Sequence, residues 1–441
     1  MIQAFSRPMS YGQYLKSLLP SVLTMIFLSF YTTIDGFFVS RYAGSDALAG
    51  INIVIPITCV TFGVAVMLAT GAGAIIGEHL GRGEMEQANR IFSFMCLVLL
   101  AFSVAFTALG VAFLRPIAVL LGSSERLMPH VLPYALVVFL GTVPMAFKLF
   151  FEYLVRSDGN SKVGLAMSVA GLVLNVGLDY LFVGVFGLGT LGAAWGTTLS
   201  ITASALIGLV YFLRFGNIRF ARPKADAKVL LKSCTNGSSE MFTEFSTGIT
   251  TLLFNLMVMK YFGEDGVAAV TIIMYVYYFF ISFYMGIAVA VAPVVSYNVG
   301  AQNPAKIREM LRYSFRTIAV TAALILAASL LGGQAIIHLF VQSGNVFDIT
   351  WQALRLFSPV FVFIGFNVFL SGYFTALGNG LTSAVISLLR SLVLVVVFIA
   401  VLPLLLEENG IWLTMPFSEA ATVLVAVQLY RMQGRPPAPT A

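Results

Sequence analysis

The sequence predicts an all-α polytopic membrane protein, with twelve transmembrane helices in two six-helix bundles related by a parallel internal repeat. Composition is the first reason: 59% of the 441 residues are hydrophobic and 10% are charged, with a mean hydropathy of +0.94. A soluble domain carries about 25% charged residues. The spacing of the apolar runs and the repeat are the second and third reasons, and no soluble domain of useful size remains between the runs.

The apolar runs are each about 20 residues long, which is the length that crosses about 30 Å of hydrocarbon as a helix. They lie at 17–40, 51–76, 91–114, 131–155, 163–184, 193–213, 237–260, 268–293, 315–340, 351–375, 381–404 and 411–430. The first run follows basic residues, as a signal sequence does. We expect a retained first helix, because the run is too long for a signal h-region and lacks a clear small-residue cleavage site.

The basic residues are distributed unevenly between the two sides that these spans define. One set of loops and tails holds eighteen of the 25 Lys and Arg, whereas the other holds Arg41, Arg115, Arg126 and Lys260. This is the positive-inside bias, so we expect both termini in the cytoplasm and a location in the inner (plasma) membrane. The net charge of +6 is therefore not a sign of nucleic-acid binding. Three scattered cysteines indicate neither a disulfide framework nor a metal motif.

An internal repeat appears when the chain is compared with itself at a shift of 219 residues. The matches are Gly44 with Gly263, Asp46 with Asp265, Ala49 with Ala268, Gly81 with Gly300, Gly159 with Gly378 and Asn160 with Asn379. One offset therefore holds at three separate loops. Because six spans per half is an even number, both halves enter the membrane from the same side, as in many secondary transporters.

The repeat predicts the domain organisation. We expect an N-lobe at 1–214 with helices one to six, a cytoplasmic linker at 215–232, and a C-lobe at 233–441 with helices seven to twelve. The linker is the longest basic loop on the cytoplasmic side.

Four polar residues within the apolar runs of the first half form the principal site prediction. Asp35, Asp179 and Thr197 lie on three different helices at roughly 8–12 Å below the outer surface, and Asn175 lies one helical turn deeper than Asp179 on the same face. Oxygen ligands of this kind suit a hard cation, and two close carboxylates without a cation would retain a proton. The alternative is that the acids are structural, hydrogen-bonding between helices, and that Thr197 bonds to its own helix.

These residues carry a resemblance to a known family. The chain resembles the multidrug and toxic compound extrusion (MATE) antiporters over essentially its whole length, through Pro20 and Asp35 on the first helix, Asn175 and Asp179 on the fifth, and Thr197 on the sixth. In bacterial and archaeal members with an acidic N-lobe site, the resemblance implies that such residues bind the coupling Na⁺ or H⁺.

Two loops also look like the family: "GEHLGRGEMEQANR" after the second helix and its echo "YNVGAQNPAKIREM" after the eighth. The resemblance implies a V-shaped pair of bundles with a central cavity that opens alternately to either side. Pro20 would then be a hinge, since proline removes a backbone hydrogen bond and bends a helix. The alternative for Pro20 is a tolerated kink.

The second half carries its own intramembrane charges, because Asp35 and Asp179 fall on phenylalanines under the repeat. The second-lobe candidates are Glu240, Glu244, Arg390 and Glu419. Some family members have a functional Glu on the seventh helix with an Asp on the tenth, but the tenth span here has no acid. We therefore leave open whether these acids bind ion or cargo, or whether Arg390 pairs with Glu244 or Glu419.

For two further groups of residues we expect a structural role rather than a functional one. Lys148, Glu152 and Arg156 form a stripe on the fourth helix, which we expect to snorkel or to pair internally. The aromatic run 274–286 is expected to pack against lipid, with cavity lining as the less favoured alternative.

The predicted function is secondary-active efflux of cationic or amphipathic organic compounds in exchange for Na⁺ or H⁺ by alternating access. The expected partners are those compounds and membrane lipids, with no nucleic acid, no cofactor beyond the coupling ion, no metal beyond a possible Na⁺ at Asp35 and Asp179, and a monomeric state. The alternative is a flippase for lipid-linked oligosaccharides, although an acid-bearing cavity disfavours pyrophosphate. An enzyme is not expected, because the chain has no P-loop, no zinc-protease motif and no Asp-rich diphosphate motif.

Overall fold

The computed structural model describes residues 5–43 and 45–433, and the side chains of 30–49 lie outside the description. The described chain is α-helical, in the order α1 (Tyr11–Ala43), α2 (Ser45–Gly81), α3 (Met85–Ala112), α4 (Leu114–Leu120), α5 (Met128–Leu140), α6 (Thr142–Ser157), α7 (Ser161–Asp179), α8 (Gly189–Arg214), α9 (Ala227–Gly300), α10 (Pro304–Leu331), α11 (Gly333–His338), α12 (Asn345–Phe357), α13 (Val360–Ala376), α14 (Gly380–Leu388), α15 (Leu394–Leu406) and α16 (Glu408–Gln433). A π-helical turn follows α7 at Tyr180–Val185, and another joins α14 to α15 at Leu389–Val393.

The number of membrane crossings follows from helix length and breaks. Within the described residues, eight helices are long and apolar enough to cross a membrane, and two bent pairs raise the number to ten. One of the eight, α9, has 74 residues and is interrupted at Gly263 (φ 65°, ψ −150°), so it comprises two segments, 227–262 (α9a) and 264–300 (α9b). With the 33-residue α1, these segments agree with the twelve predicted spans.

The two bent pairs occupy equivalent places in the two halves. The helix axis turns by 50° between α5 and α6 and by 54° between α12 and α13. Pro359 stands at the second break, where its missing N–H and its ring interrupt the helical hydrogen bonds. The first break contains Gly141, where a Cβ would lie 2.8 Å from the Thr198 hydroxyl oxygen of α8.

The halves meet in reciprocal contacts that obey the 219-residue shift. Gly81 lies against the backbone carbonyl of Tyr297, and Gly300, its equivalent, lies against the backbone carbonyl of Glu78. Glu78 and Tyr297 are themselves 219 residues apart. Contacts exchanged in this way show a pseudo-two-fold axis running between α2 and α9b, which is what a parallel repeat requires.

One end of the bundle carries the loops 82–84, 158–160, 215–226, 301–303 and 377–379, and we call it the basic face. In two of these loops the repeat is visible in the backbone. Gly159 and Gly378 have φ of 87° and 79°, a left-handed conformation that glycine adopts without strain. Asn160 and Asn379 then stand at the N-caps of α7 and α14.

The apolar core of the second half extends onto the first helix. Tyr14 and Leu18 of α1 are buried in the cluster formed by α9b, α10 and α13. The Tyr14 hydroxyl lies 2.9 Å from the Ser314 hydroxyl of α10, and the Tyr11 hydroxyl lies 2.9 Å from Thr317 Oγ1. The start of α1 is thus anchored on the second half, whereas the helix also packs on α7 and α8 of the first half.

Candidate functional site

The polar cluster of the first half is centred on the end of α7. Asp179 is the last residue of α7 and Asn175 lies one turn before it, and both side chains are fully buried (0% exposed). The Asn175 amide nitrogen donates to Asp179 Oδ2 over 3.4 Å. The predicted pairing of these two residues on one helical face is therefore present in the fold.

The sixth span brings Thr197 to the same level. Gly196 of α8 faces Asp179 so closely that a Cβ at this position would overlap with Asp179 Oδ1. The missing side chain at position 196 thus creates the space that the carboxylate occupies. Thr197 is the next residue and is half-buried. Gly196 is not among the residues predicted from the sequence, because a glycine indicates such a close contact only once its neighbour is known.

Asp35 is the predicted second carboxylate, and its side chain lies outside the described residues. Its helix, α1, packs against α7, against the π-helical turn after Asp179 and against α8. Pro20 lies inside α1, which continues through it, and the Thr24 hydroxyl donates to the Pro20 carbonyl over 2.8 Å.

In the second half, Arg390 and Glu419 face each other in the interior. Arg390 Nε lies 3.8 Å from Glu419 Oε1, with side-chain exposures of 7% and 1%. Asn367 of α13 donates its amide to Glu419 Oε2 over 2.6 Å. The prediction that Arg390 pairs with Glu244 or Glu419 is resolved in favour of Glu419. Asn367 is not among the residues predicted from the sequence, since the tenth span was expected to contribute only through an acid.

A cavity of about 70 Å³ lies between the halves close to the pseudo-two-fold axis. Its walls come from α2, α6, α9a, α9b and α13, and most of them are apolar or hydroxyl-bearing. Glu240 of α9a is the one carboxylate among the described lining residues. Tyr153 of α6 also lines the cavity, and its equivalent under the repeat is Gly372, so the two halves contribute unequal walls. Tyr153 is not among the residues predicted from the sequence.

Glu244 lies one turn beyond Glu240 on α9a and approaches Gly63 of α2. Both glutamates therefore face the first half across the space between the two halves that contains this cavity, which we call the cleft. Within the described part of the chain, neither carboxylate forms an ion pair or accepts a hydrogen bond. Two acids in a cleft with free oxygen atoms are suited to attract a cation.

The stripe on α6 is paired, as expected, but it does not snorkel. Lys148 Nζ lies 2.7 Å from Glu152 Oε2, and Arg156 Nη2 lies 3.3 Å from Glu152 Oε1 with both side chains buried (1% and 2% exposed). The long charged groups turn inwards because each cation finds the carboxylate of Glu152 on the same helix face. Arg156 also stands 5.5 Å from the ring centre of Tyr153.

The aromatic run 274–286 faces the interior more than we expected. Tyr277, Phe280 and Tyr284 are buried in the core of the second half, whereas Tyr275 and Tyr278 are exposed. The Tyr284 hydroxyl donates to the Phe361 carbonyl over 2.8 Å. A single lipid-facing role for this run is therefore wrong, because α9b is a central helix with neighbours on several sides.

Comparison with known proteins gives consistent results. The MatE family model matches residues 20–181 and again 241–401. The multidrug export protein MepA of Staphylococcus saprophyticus is 24% identical over 413 residues, covering 92% of this chain and 86% of the relative. MepA of Staphylococcus aureus (strain COL) is 22% identical over 414 residues, covering 93% of this chain and 91% of the relative.

Solved structures show the same fold. A crystal structure of MATE in the straight conformation superposes with a TM-score of 0.92 at 21% identity, covering 98% of this chain and 97% of the other. The outward-facing conformation of a multidrug resistance MATE family transporter of the MOP superfamily superposes with a TM-score of 0.90 at 21% identity, covering 95% of each chain. The predicted all-α polytopic fold is thus confirmed. With the family model matched in both halves, the chain belongs to the MatE family of multi-pass membrane transporters, which are not enzymes.

Proposed function

We propose that this protein is a multidrug export antiporter, which expels cationic or amphipathic organic compounds in exchange for Na⁺ or H⁺. The relatives named multidrug export protein MepA support the export of drugs. The observation that carries the coupling half of the proposal is Asp179, a fully buried carboxylate in a membrane span. Placing an ionisable group within the membrane is energetically unfavourable, so such a residue indicates a functional site.

The proposed coupling site contains Asp35, Asn175, Asp179 and Thr197. Asn175 and Asp179 supply oxygen atoms from one face of α7, and Gly196 allows α8 to approach the carboxylate closely. α1, which carries Asp35, packs on both helices. Carboxylate, amide and hydroxyl oxygens suit Na⁺, and a carboxylate pair equally suits one proton.

The proposed cargo path is the cleft beside Glu240 and Glu244. These carboxylates face the first half from α9a, so they place negative charge where an organic cation would pass. Tyr153 adds an aromatic side chain to the lining of the same cavity, and aromatic rings contribute to cation binding. The cavity of about 70 Å³ is small beside a drug-sized site of about 300–1,000 Å³. A cargo must therefore widen it, or bind nearer the mouth.

Exchange requires that ion and cargo favour different arrangements of the two lobes. We place the lobes at 1–214 and 233–441 with the linker between them, although helix α9 already begins at Ala227. The described contacts between α2 and α9 join the lobes at the basic face, which we assign to the cytoplasm with both termini. The cleft then opens outwards in this state, and the ion enters from outside.

The test is uptake of a fluorescent organic cation into proteoliposomes under an imposed Na⁺ or H⁺ gradient. We expect one gradient to drive uptake in the wild-type protein, and Asp179→Asn to abolish the gradient dependence while the folded protein remains. Asp348→Asn is the matched control, since Asp348 is exposed at the start of α12. Equal gradient dependence in Asp179→Asn and wild type would refute the coupling assignment, and loss of folded Asp179→Asn protein would assign Asp179 a structural role.

A further inference from the structure

The loop between the two halves is fixed to the first half by a buried acid. Asp158 accepts hydrogen bonds from the backbone N–H of Asn217 over 3.0 Å and of Ile218 over 2.8 Å. The Tyr211 hydroxyl donates to the same carboxylate over 2.5 Å. Ile218 itself is fully buried, so the beginning of the loop has a defined position at the basic face.

A second group of contacts extends this order along the loop. The backbone N–H of Arg219 donates to Asn89 Oδ1 over 2.9 Å, and that of Ala221 donates to Ser93 Oγ over 2.8 Å. The Phe220 ring lies 5.0 Å from the Phe92 ring. Only residues 222–226 then separate this fixed segment from α9.

The side chains of this region are basic and exposed. Residues 214–232 contain six basic residues and one acid, Asp226. The exposed basic residues are Arg214, Arg219, Arg222, Lys224, Lys228 and Lys232. Asp226 is occupied as the N-cap of α9, accepting from the backbone N–H groups of Lys228 and Val229, so it faces the helix rather than the cations.

Exposed apolar side chains lie among these cations, at the ends of two membrane spans. Phe215 is 72% exposed just after α8, and Leu231 is 66% exposed in the first turns of α9. A soluble polyanion would leave these side chains in water, whereas a bilayer interface accepts aromatic and aliphatic groups next to its headgroups. Charge and apolar exposure together favour a lipid.

We propose that residues 214–232 form a binding site for the headgroups of anionic phospholipids. The cations on the fixed segment belong to the first half, whereas Lys228 and Lys232 belong to the second, so one lipid cluster contacts both halves. Lys232 Nζ also lies 3.7 Å from Glu78 Oε2 of α2, at the place where the halves meet. Bound lipid therefore stabilises the arrangement in which the halves are joined at the basic face.

The test measures the affinity of a spin-labelled phosphatidylglycerol for the purified protein in phosphatidylcholine nanodiscs. Each lysine or arginine near an anionic surface contributes about fivefold in affinity, so Arg222→Gln/Lys224→Gln should weaken binding about 25-fold. The matched control is Arg308→Gln/Arg312→Gln, which removes two exposed cations from the same face at the start of α10. Because these two arginines lie outside residues 214–232, their removal should change the affinity by less than about twofold when the lipid is held at that site and not by the general charge of the basic face.

Three outcomes would overturn the proposal: equal weakening in both variants, no weakening in either, or displacement of the labelled lipid by inorganic phosphate. The measurement uses no ion gradient and no cargo, so its failure is distinct from failure of the antiport proposal. The thermal stability of each variant in detergent, compared with wild type, checks that the fold is intact.

Discussion

A methyl group at the reciprocal glycine contact should separate the two halves. The changes are Gly81→Ala and Gly300→Ala. In either variant the new Cβ would overlap backbone atoms of the facing helix, at Tyr297 or at Glu78. Backbone atoms cannot rotate away as a side chain can, so the helices themselves must move apart.

The size of the effect follows from the cost of overpacking a close contact, about 1–3 kcal/mol. That range corresponds to a population change of about 5- to 150-fold against the joined state. Gly→Ala inside a helix also stabilises the helix by up to about 1 kcal/mol. Gly248→Ala is therefore the control, because this glycine lies in α9a with open space around its Cα.

The assay is the distance distribution between spin labels on cysteines that replace Arg90 and Arg308 at the basic face, in a background without the three native cysteines. Both alanine variants should shift the distribution to longer distances, whereas Gly248→Ala should match the parent. The double variant should shift less than the sum of the single ones, because the first methyl already opens the gap for the second. If Gly81→Ala and Gly248→Ala give the same distribution, the reciprocal contact does not hold the halves together.

Three further predictions concern stability, measured as the thermal midpoint in detergent. Arg390→Met should destabilise the protein by about 3–5 kcal/mol, because Glu419 is then buried without its cation, and adding Glu419→Gln should restore much of the loss; a double variant no better than the single would contradict the pairing. Asp158→Ala should cost about 1–3 kcal/mol per donor left unpaired in the loop, and an unchanged midpoint would show that the loop is not held there. Tyr14→Phe should cost about 1 kcal/mol through its lost bond to Ser314, less than Tyr14→Ala, and a cost equal to that of alanine would assign the whole effect to the hydroxyl.

The large-scale organisation could be read from the sequence because apolar length and loop glycines are local signals. The shift of 219 residues, found from Gly81 and Gly300 among others, reappears as a physical contact between the halves. The pairing of Asn175 with Asp179 follows from helical periodicity alone. Neither inference needs to know which helices are neighbours.

Other features depend on neighbours and could not be read in the same way. Tyr153 becomes a cavity wall only because α6 faces α9a across the cleft, and Asn367 matters because it reaches Glu419 on another helix. The burial of Glu152 and Arg156 was hidden for a similar reason, since a charged stripe on a helix usually lies at the surface. The binding of a cation by the four candidate residues of the first half remains a prediction.

The anchoring of α1 on the second half has a consequence for how this protein can be divided. Cutting the chain in the loop after α8 would leave the second fragment without Tyr14 and Leu18, two residues of its own apolar core. That fragment should therefore be unstable by itself, and recover when α1 is supplied as a separate peptide. The first helix of one repeat is thus a structural part of the other repeat.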